Sequence, residues 1–194
     1  MRKIFLVTAF LFGLLNASAQ VGIGLRDNQF AYIYYKFKEN WDVRYEHSLF
    51  KGKIKYQYFR LSASYRFEHK WLTLQGRPYW GITYNRDYYN LGANLSASAD
   101  ALKWLNVHAS LNPHYDSGMG YETCFAAGLG FKVHKHISII TDYTTIPEYR
   151  MSEKRIRAGL HFKVGNLQVT PMLSFPAASD VNSFRVLASL DYLF

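Results

Sequence analysis

The chain has 194 residues, with 23 Lys and Arg against 14 Asp and Glu, giving a net charge of +9 at neutral pH. That length bounds it to one domain, and a single cysteine, Cys124, excludes an internal disulfide framework. Aromatic residues make up 18% of the chain, 16 of them Tyr, yet the mean hydropathy is −0.17 and no apolar run is as long as the roughly 20 residues of a membrane-spanning helix.

The first predicted element is an address. Arg2 and Lys3 are basic, Ile4 to Leu15 is a short apolar run, and Ala17-Ser18-Ala19 offers small residues where a signal peptidase cuts. Residues 1–19 therefore read as a cleaved signal peptide, with Gln20 as the new N-terminus. No Cys follows the apolar run, so it is not a lipoprotein signal. A basic, aromatic chain would otherwise fit nucleic acid, and export argues against that partner.

From Gln20 onward apolar and polar residues alternate with period two, the strand period, and helical spacing is absent. Val21, Ile23 and Leu25 alternate with Gly22, Gly24 and Arg26, and Phe30 to Phe37 forms the next segment. One face of the following strands carries Asp42, Arg44 and Glu46, then Arg60, Ser62, Ser64 and Arg66, then Gln75, Arg77 and Tyr79. Tyr89 to Ala99 and Leu105 to Tyr115 alternate with small or polar partners, including Asn94, Ser96, Ser98, His108, Ser110 and His114. Cys124, Ala126, Gly128 and Gly130 share one face of the next strand. Arg155, Arg157, His161 and Lys163 then alternate with Ile156, Ala158, Leu160, Phe162 and Val164. Leu167 to Phe175 and Phe184 to Phe194 end the chain.

Polar turns separate these segments at a regular interval. Lys38-Glu39-Asn40-Trp41, Glu68-His69-Lys70-Trp71 and Ala101-Leu102-Lys103-Trp104 each end in Trp, while His134-Lys135-His136-Ile137 and Val164-Gly165-Asn166-Leu167 end in an aliphatic residue. Their spacings are 30, 33, 33 and 30 residues, enough for two strands of about 9–11 residues and a second turn, one transmembrane hairpin. Sidedness supports this over a soluble sandwich. Trp follows the short turns, whereas Tyr84, Tyr88, Tyr89, Tyr115, Tyr121, Tyr143 and Tyr149 crowd the opposite ends. The connections there, at Asp116 to Gly120, Pro147 to Lys154 and Ala177 to Asn182, read as the longer, external ones. The fold expectation is all-β: residues 20–194 as a closed antiparallel up-and-down transmembrane β-barrel of about twelve strands. Residues 20–26 supply the twelfth; otherwise that segment lies in the lumen and the count is ten or eleven.

On Ala17-Ser18-Ala19, the alternating hairpins and the last strand with its terminal Phe194, the chain resembles the bacterial outer-membrane β-barrel class. The resemblance implies an outer-membrane location, contact with outer-membrane lipid and lipopolysaccharide, and recognition of Phe194 by the barrel-assembly machinery. Size and basic lumen are similar to small twelve-stranded channels for acidic sugars, and no motif carries an individual residue over.

The lumen-facing residues carry any function. Arg44, Arg60, Arg66, Arg77, Arg155, Arg157 and His161 are the candidate solute-contacting set, pointing to a narrow channel for small anions, since a guanidinium fork pairs with carboxylate or phosphate. In a twelve-stranded ring the Arg60 and Arg155 strands oppose each other. The alternative is a closed structural or partner-binding barrel, with Asp42, Glu46, Glu122, Asp142 and Asp191 neutralising the arginines. His108-Ala109-Ser110 with Glu122 resembles the arrangement of outer-membrane lipid A deacylases, but the pair faces the lumen rather than the acyl chains, and two polar lumen residues are the plainer reading. No cofactor is expected and no metal site is read. His134 and His136 flank a solvated turn, and His108 lies about 20 Å from His114 along one strand.

The chain should fractionate with outer membranes and migrate on gels as a compact band that shifts only on boiling. Recovery as a soluble periplasmic protein would end the barrel reading.

Overall fold

The computed structural model describes residues 20–37, 39–49, 57–145, 154–177 and 184–194. The expected signal peptide, Tyr149 and most of the two long connections after Thr145 and Ala177 lie outside the described residues. The described strands are β1 Gln20–Arg26, β2 Phe30–Phe37, β3 Trp41–Ser48, β4 Tyr58–His69, β5 Leu72–Thr83, β6 Tyr89–Leu102, β7 Leu105–Asp116, β8 Gly120–His134, β9 Ile137–Thr144, β10 Arg155–Val164, β11 Leu167–Pro176 and β12 Arg185–Leu193. All are antiparallel to their chain neighbours, and β1 pairs with β12, so these twelve strands form one closed barrel. Residues 20–26 are thus a full barrel strand. In a bilayer core, unpaired backbone groups find no water, so a sheet can cross only if it closes on itself.

The alternation is inverted relative to a soluble protein. Leu61, Leu91, Leu95, Leu111, Phe125, Leu160, Leu173 and Val186 are exposed on the outside, while Glu46, Ser62, Ser64, Asn112, His114, Arg155 and Ser174 are buried inside. An apolar exterior around a polar interior is what lipid contact selects.

The five short turns lie at one rim. There Asn40, Trp71, Trp104, His136 and Asn166 each accept, through the backbone carbonyl, an N–H from the next hairpin, from Arg66, Asp100, Lys132, Lys163 and Leu193 respectively. Lys70 and Gly165 adopt the left-handed conformation that so tight a reversal needs, with φ of 49° and 58°. Trp41, Trp71 and Trp104 are exposed at this rim, and Trp41 stacks on Phe37 and packs against the tilted ring of Tyr65. Tyr84, Tyr89, Tyr115 and Tyr121 are exposed at the other.

Two details differ from the sequence reading. Tyr88 does not join the outer belt; its ring is buried in the mouth and its hydroxyl donates to Asp116. The Asp116 to Gly120 connection is a tight three-residue turn, because the Asp116 carboxylate accepts the backbone N–H groups of Gly118 at 2.7 Å and Met119 at 3.2 Å.

Side chains reinforce the closing seam. Tyr32 and Tyr34 on β2 pass over Gly24 and Gly22 on β1 and donate to Asp191 on β12, at 2.7 and 2.9 Å. Any Cβ at Gly22 would overlap only the far end of the Tyr34 side chain, which can move at the expense of its Asp191 bond. At Gly24 it would also overlap the Leu190 carbonyl oxygen, which cannot.

Gly24→Ala should therefore impair barrel closure far more than Gly22→Ala. Tyr34→Phe should lose about 1.5–3 kcal/mol, the value of a hydrogen bond to a charged group. Both effects read out as the temperature at which the compact gel band disappears; equal behaviour of the two glycine variants would contradict the seam geometry.

Candidate functional site

Parity places the candidate arginines inside, and cross-strand register decides what each one meets. Glu46 on β3 lies opposite Arg60 on β4 and is only 2% exposed. Arg60 pairs with it directly, Arg26 Nε from the end of β1 approaches to 3.5 Å, and Arg44 Nη1 stands at 3.9 Å. Two inward positions back along β3, Asp42 pairs with Arg77 of β5 at 3.0 Å and accepts the Ser64 hydroxyl. Four guanidiniums thus converge on two carboxylates. Aromatic faces hold them as well: Arg26 lies over Phe30, Arg60 over Tyr79, and Arg44 over Tyr32 and Tyr34 at 4.3 and 5.3 Å.

On the facing wall the arginines are tied to their neighbours. Arg155, 2% exposed, donates to the Ser174 hydroxyl and carbonyl of β11 at 2.6 and 2.9 Å. Arg157 grips Asp142 of β9 through Nε and Nη2 at 2.7 and 3.1 Å. His161 meets the Thr170 hydroxyl at 2.9 Å. Arg66, near the short-turn rim, is exposed and loosely paired with Glu68 at 3.4 Å. β4 and β10 do sit opposite in the ring, but Arg60 and Arg155 each serve their own side.

Two lumen cavities matter. One of about 210 Å³ opens at the Tyr rim, where Asp27, Tyr88, Asp116 and Met119 line it. The other, about 480 Å³, lies at the short-turn rim and bears Lys36, Arg66 and Lys163 together with Glu39 and Asp191. Arg44 and Arg77 line both cavities and therefore stand between them. At the outer mouth the acids are engaged: Asp27 accepts from Ser189, and Asp116 from Tyr88 and the turn backbone.

The sequence reading missed Arg26 as a member of this cluster, although its parity with Gly22 and Gly24 was visible. It also weighed Glu122, inward on the next strand, as a carboxylate for the His108 and Ser110 pair, and preferred to read them as plain polar lumen residues. In the barrel Glu122 lies opposite His114, and His108 lies opposite Gly128, so the His108, Ser110 and Glu122 set does not assemble.

No protein-family model matches this chain, and no characterised protein matches its sequence. Among solved structures it is similar to a KdgM porin in complex with disordered oligogalacturonate, with 11% identity and a TM-score of 0.65 over 91% of this chain and 99% of that one. It is also similar to the NanC porin, with 12% identity and a TM-score of 0.55 over the same shares. At such identity the likeness is one of fold: a twelve-stranded barrel.

Glu46→Gln leaves three guanidiniums around a neutral, buried side chain. Removing one partner of a buried ion pair costs about 3–5 kcal/mol, so this variant should unfold at markedly lower denaturant than the parent in detergent. Unchanged stability would show that Glu46 does not hold the cluster.

Proposed function

We propose that the chain is an outer-membrane channel for small anionic solutes, exported with cleavage after Ala19, and that Arg44 and Arg77 form its constriction. The carrying observation is that these two guanidiniums border both lumen cavities, so a solute moving between them passes a pair of permanent positive charges. Around the short-turn cavity, Lys36, Arg44, Arg66, Arg77 and Lys163 face Glu39, Asp42 and Asp191, a basic excess that raises local anion concentration. Arg60 and Arg26 set the electrostatics of the outer compartment; Arg155, Arg157 and His161 serve mainly to tie β10 to its neighbours. The likeness in fold to a porin that holds oligogalacturonate, a polyanion, supports the reading. Lipid and lipopolysaccharide would contact the apolar exterior, and Phe194 would be the mark read by the assembly machinery.

A closed structural barrel is the second reading, favoured by how many inward charges are paired: Arg157 with Asp142, Arg60 with Glu46, Arg77 with Asp42.

Reconstituted into planar bilayers, the protein should conduct with anion preference that weakens as salt rises, because ions screen the constriction. Arg44→Gln with Arg77→Gln should raise conductance and move selectivity toward cations. A silent bilayer, with folding confirmed by the heat-shifted gel band, would establish the closed barrel; cation preference in the parent would overturn the role of the arginines.

A further inference from the structure

We propose that His114, Glu122 and Cys124 form a metal site for a zinc-type divalent ion just inside the mouth, below the Ser117–Met119 turn. The three come from adjacent strands. His114 on β7 lies directly opposite Glu122 on β8, and Cys124 is the next inward residue of β8, opposite Asn112. Their donor atoms lie within 4.8 Å of one another. Tetrahedral nitrogen, oxygen and sulfur ligands of zinc stand roughly 3.3–3.7 Å apart, so the trio needs to draw in by only about an ångström.

A second observation points to a ligand. His114 is 3% exposed, and its Nε2 is buried with no hydrogen-bond partner; so is Oε2 of Glu122. These two atoms face each other at 4.0 Å, too far for a hydrogen bond. The other ring nitrogen, Nδ1, lies 3.2 Å from the Asn112 carbonyl. That carbonyl can only accept, so in the neutral ring Nδ1 carries the proton and Nε2 presents its lone pair to Glu122 and Cys124. A histidine whose far nitrogen is anchored to a backbone carbonyl is the usual support for a metal-ligating ring. An ion between Nε2 and Oε2 would satisfy both atoms at once.

The donor set selects the ion. Thiolate and imidazole favour zinc and its borderline relatives over calcium or magnesium, which prefer oxygen. On binding, the Cys124 thiol releases its proton to solvent and its sulfur bonds the metal; nothing is oxidised or reduced. The Glu122 side chain is 40% exposed, so the fourth position opens to the lumen and takes water. This inference stands whether or not the barrel conducts.

The test uses the full mature chain in detergent, with Co²⁺ as the probe and Zn²⁺ as competitor. One Co²⁺ per chain should produce a near-ultraviolet thiolate-to-cobalt charge-transfer band and visible bands of tetrahedral intensity, and Zn²⁺ should bleach both. Cys124→Ser, nearly isosteric and therefore able to fold, should abolish the charge-transfer band and weaken binding at least tenfold. Glu122→Gln should weaken binding and keep the band. Zn²⁺ should also slow alkylation of Cys124 in the parent. A folded parent with no charge-transfer band overturns the site. So does binding unchanged by Cys124→Ser, which would assign the ion to the exposed turn histidines, His134 and His136.

Discussion

Everything in this molecule depends on the requirement that no backbone hydrogen-bonding group be left open inside a bilayer. Eleven of the twelve strand pairings join neighbours along the chain; the pairing of β1 with β12 joins strands that no single connection links. It is also made by the shortest strand, seven residues long. Extra bonds bracket that seam. At the outer end, Asp27 N–H donates to the Ser189 hydroxyl and Asn28 N–H to the Ala188 carbonyl, at 3.0 and 3.1 Å. At the inner end, Phe194 N–H donates to the Val21 carbonyl at 2.8 Å. Between them, Asp191 takes the two tyrosine hydroxyls. The last residue of the chain is thus part of the closure itself.

Closure with lipid outside sends most polar side chains of the strands inward, where charge is costly unless paired. The interior answers with bonds that reach across strands. The Tyr32 and Tyr34 pattern recurs farther round the ring: Tyr58 of β4 crosses Gly81 of β5 and donates to Asn90 of β6 at 2.7 Å. Tyr79 of β5 similarly reaches Asn112 of β7 at 2.9 Å. A tyrosine lying flat over a glycine fills lumen volume and pins three strands with one hydroxyl. Gly22, Gly24 and Gly81 are the floor on which an aromatic ring rests.

The strand pattern was legible because period two is written into single residues: Phe30–Phe37 and Gln20–Arg26 have the bounds that alternation alone indicates. Turn positions were legible too, through the recurring Trp. β6 runs past the expected end at Ala99 to Leu102 because the register shifts between Asp100 and Leu102, which alternation does not encode. The site was half legible. Parity identified which arginines face inward, but their partners depend on register between strands far apart in sequence. Glu46 collects Arg26, Arg44 and Arg60 from three strands, and no spacing along the chain announces that. His114 and Glu122 are eight residues apart and meet only because the turn between them is tight.

The residues that close the seam also support Arg44. Arg44 has the weakest carboxylate hold of the four clustered arginines, 3.9 Å from Glu46, and it rests instead on the rings of Tyr32 and Tyr34. Those rings are fixed because their hydroxyls are committed to Asp191 across the closing strand. Bonds that shut the barrel therefore also position the guanidinium that borders both cavities. Displacing Arg44 would work against two aromatic faces and one long ion pair, and would leave the hydroxyl bonds of the seam in place. That division sets a charge bordering both cavities on a support separate from the hydrogen bonds that keep the wall closed.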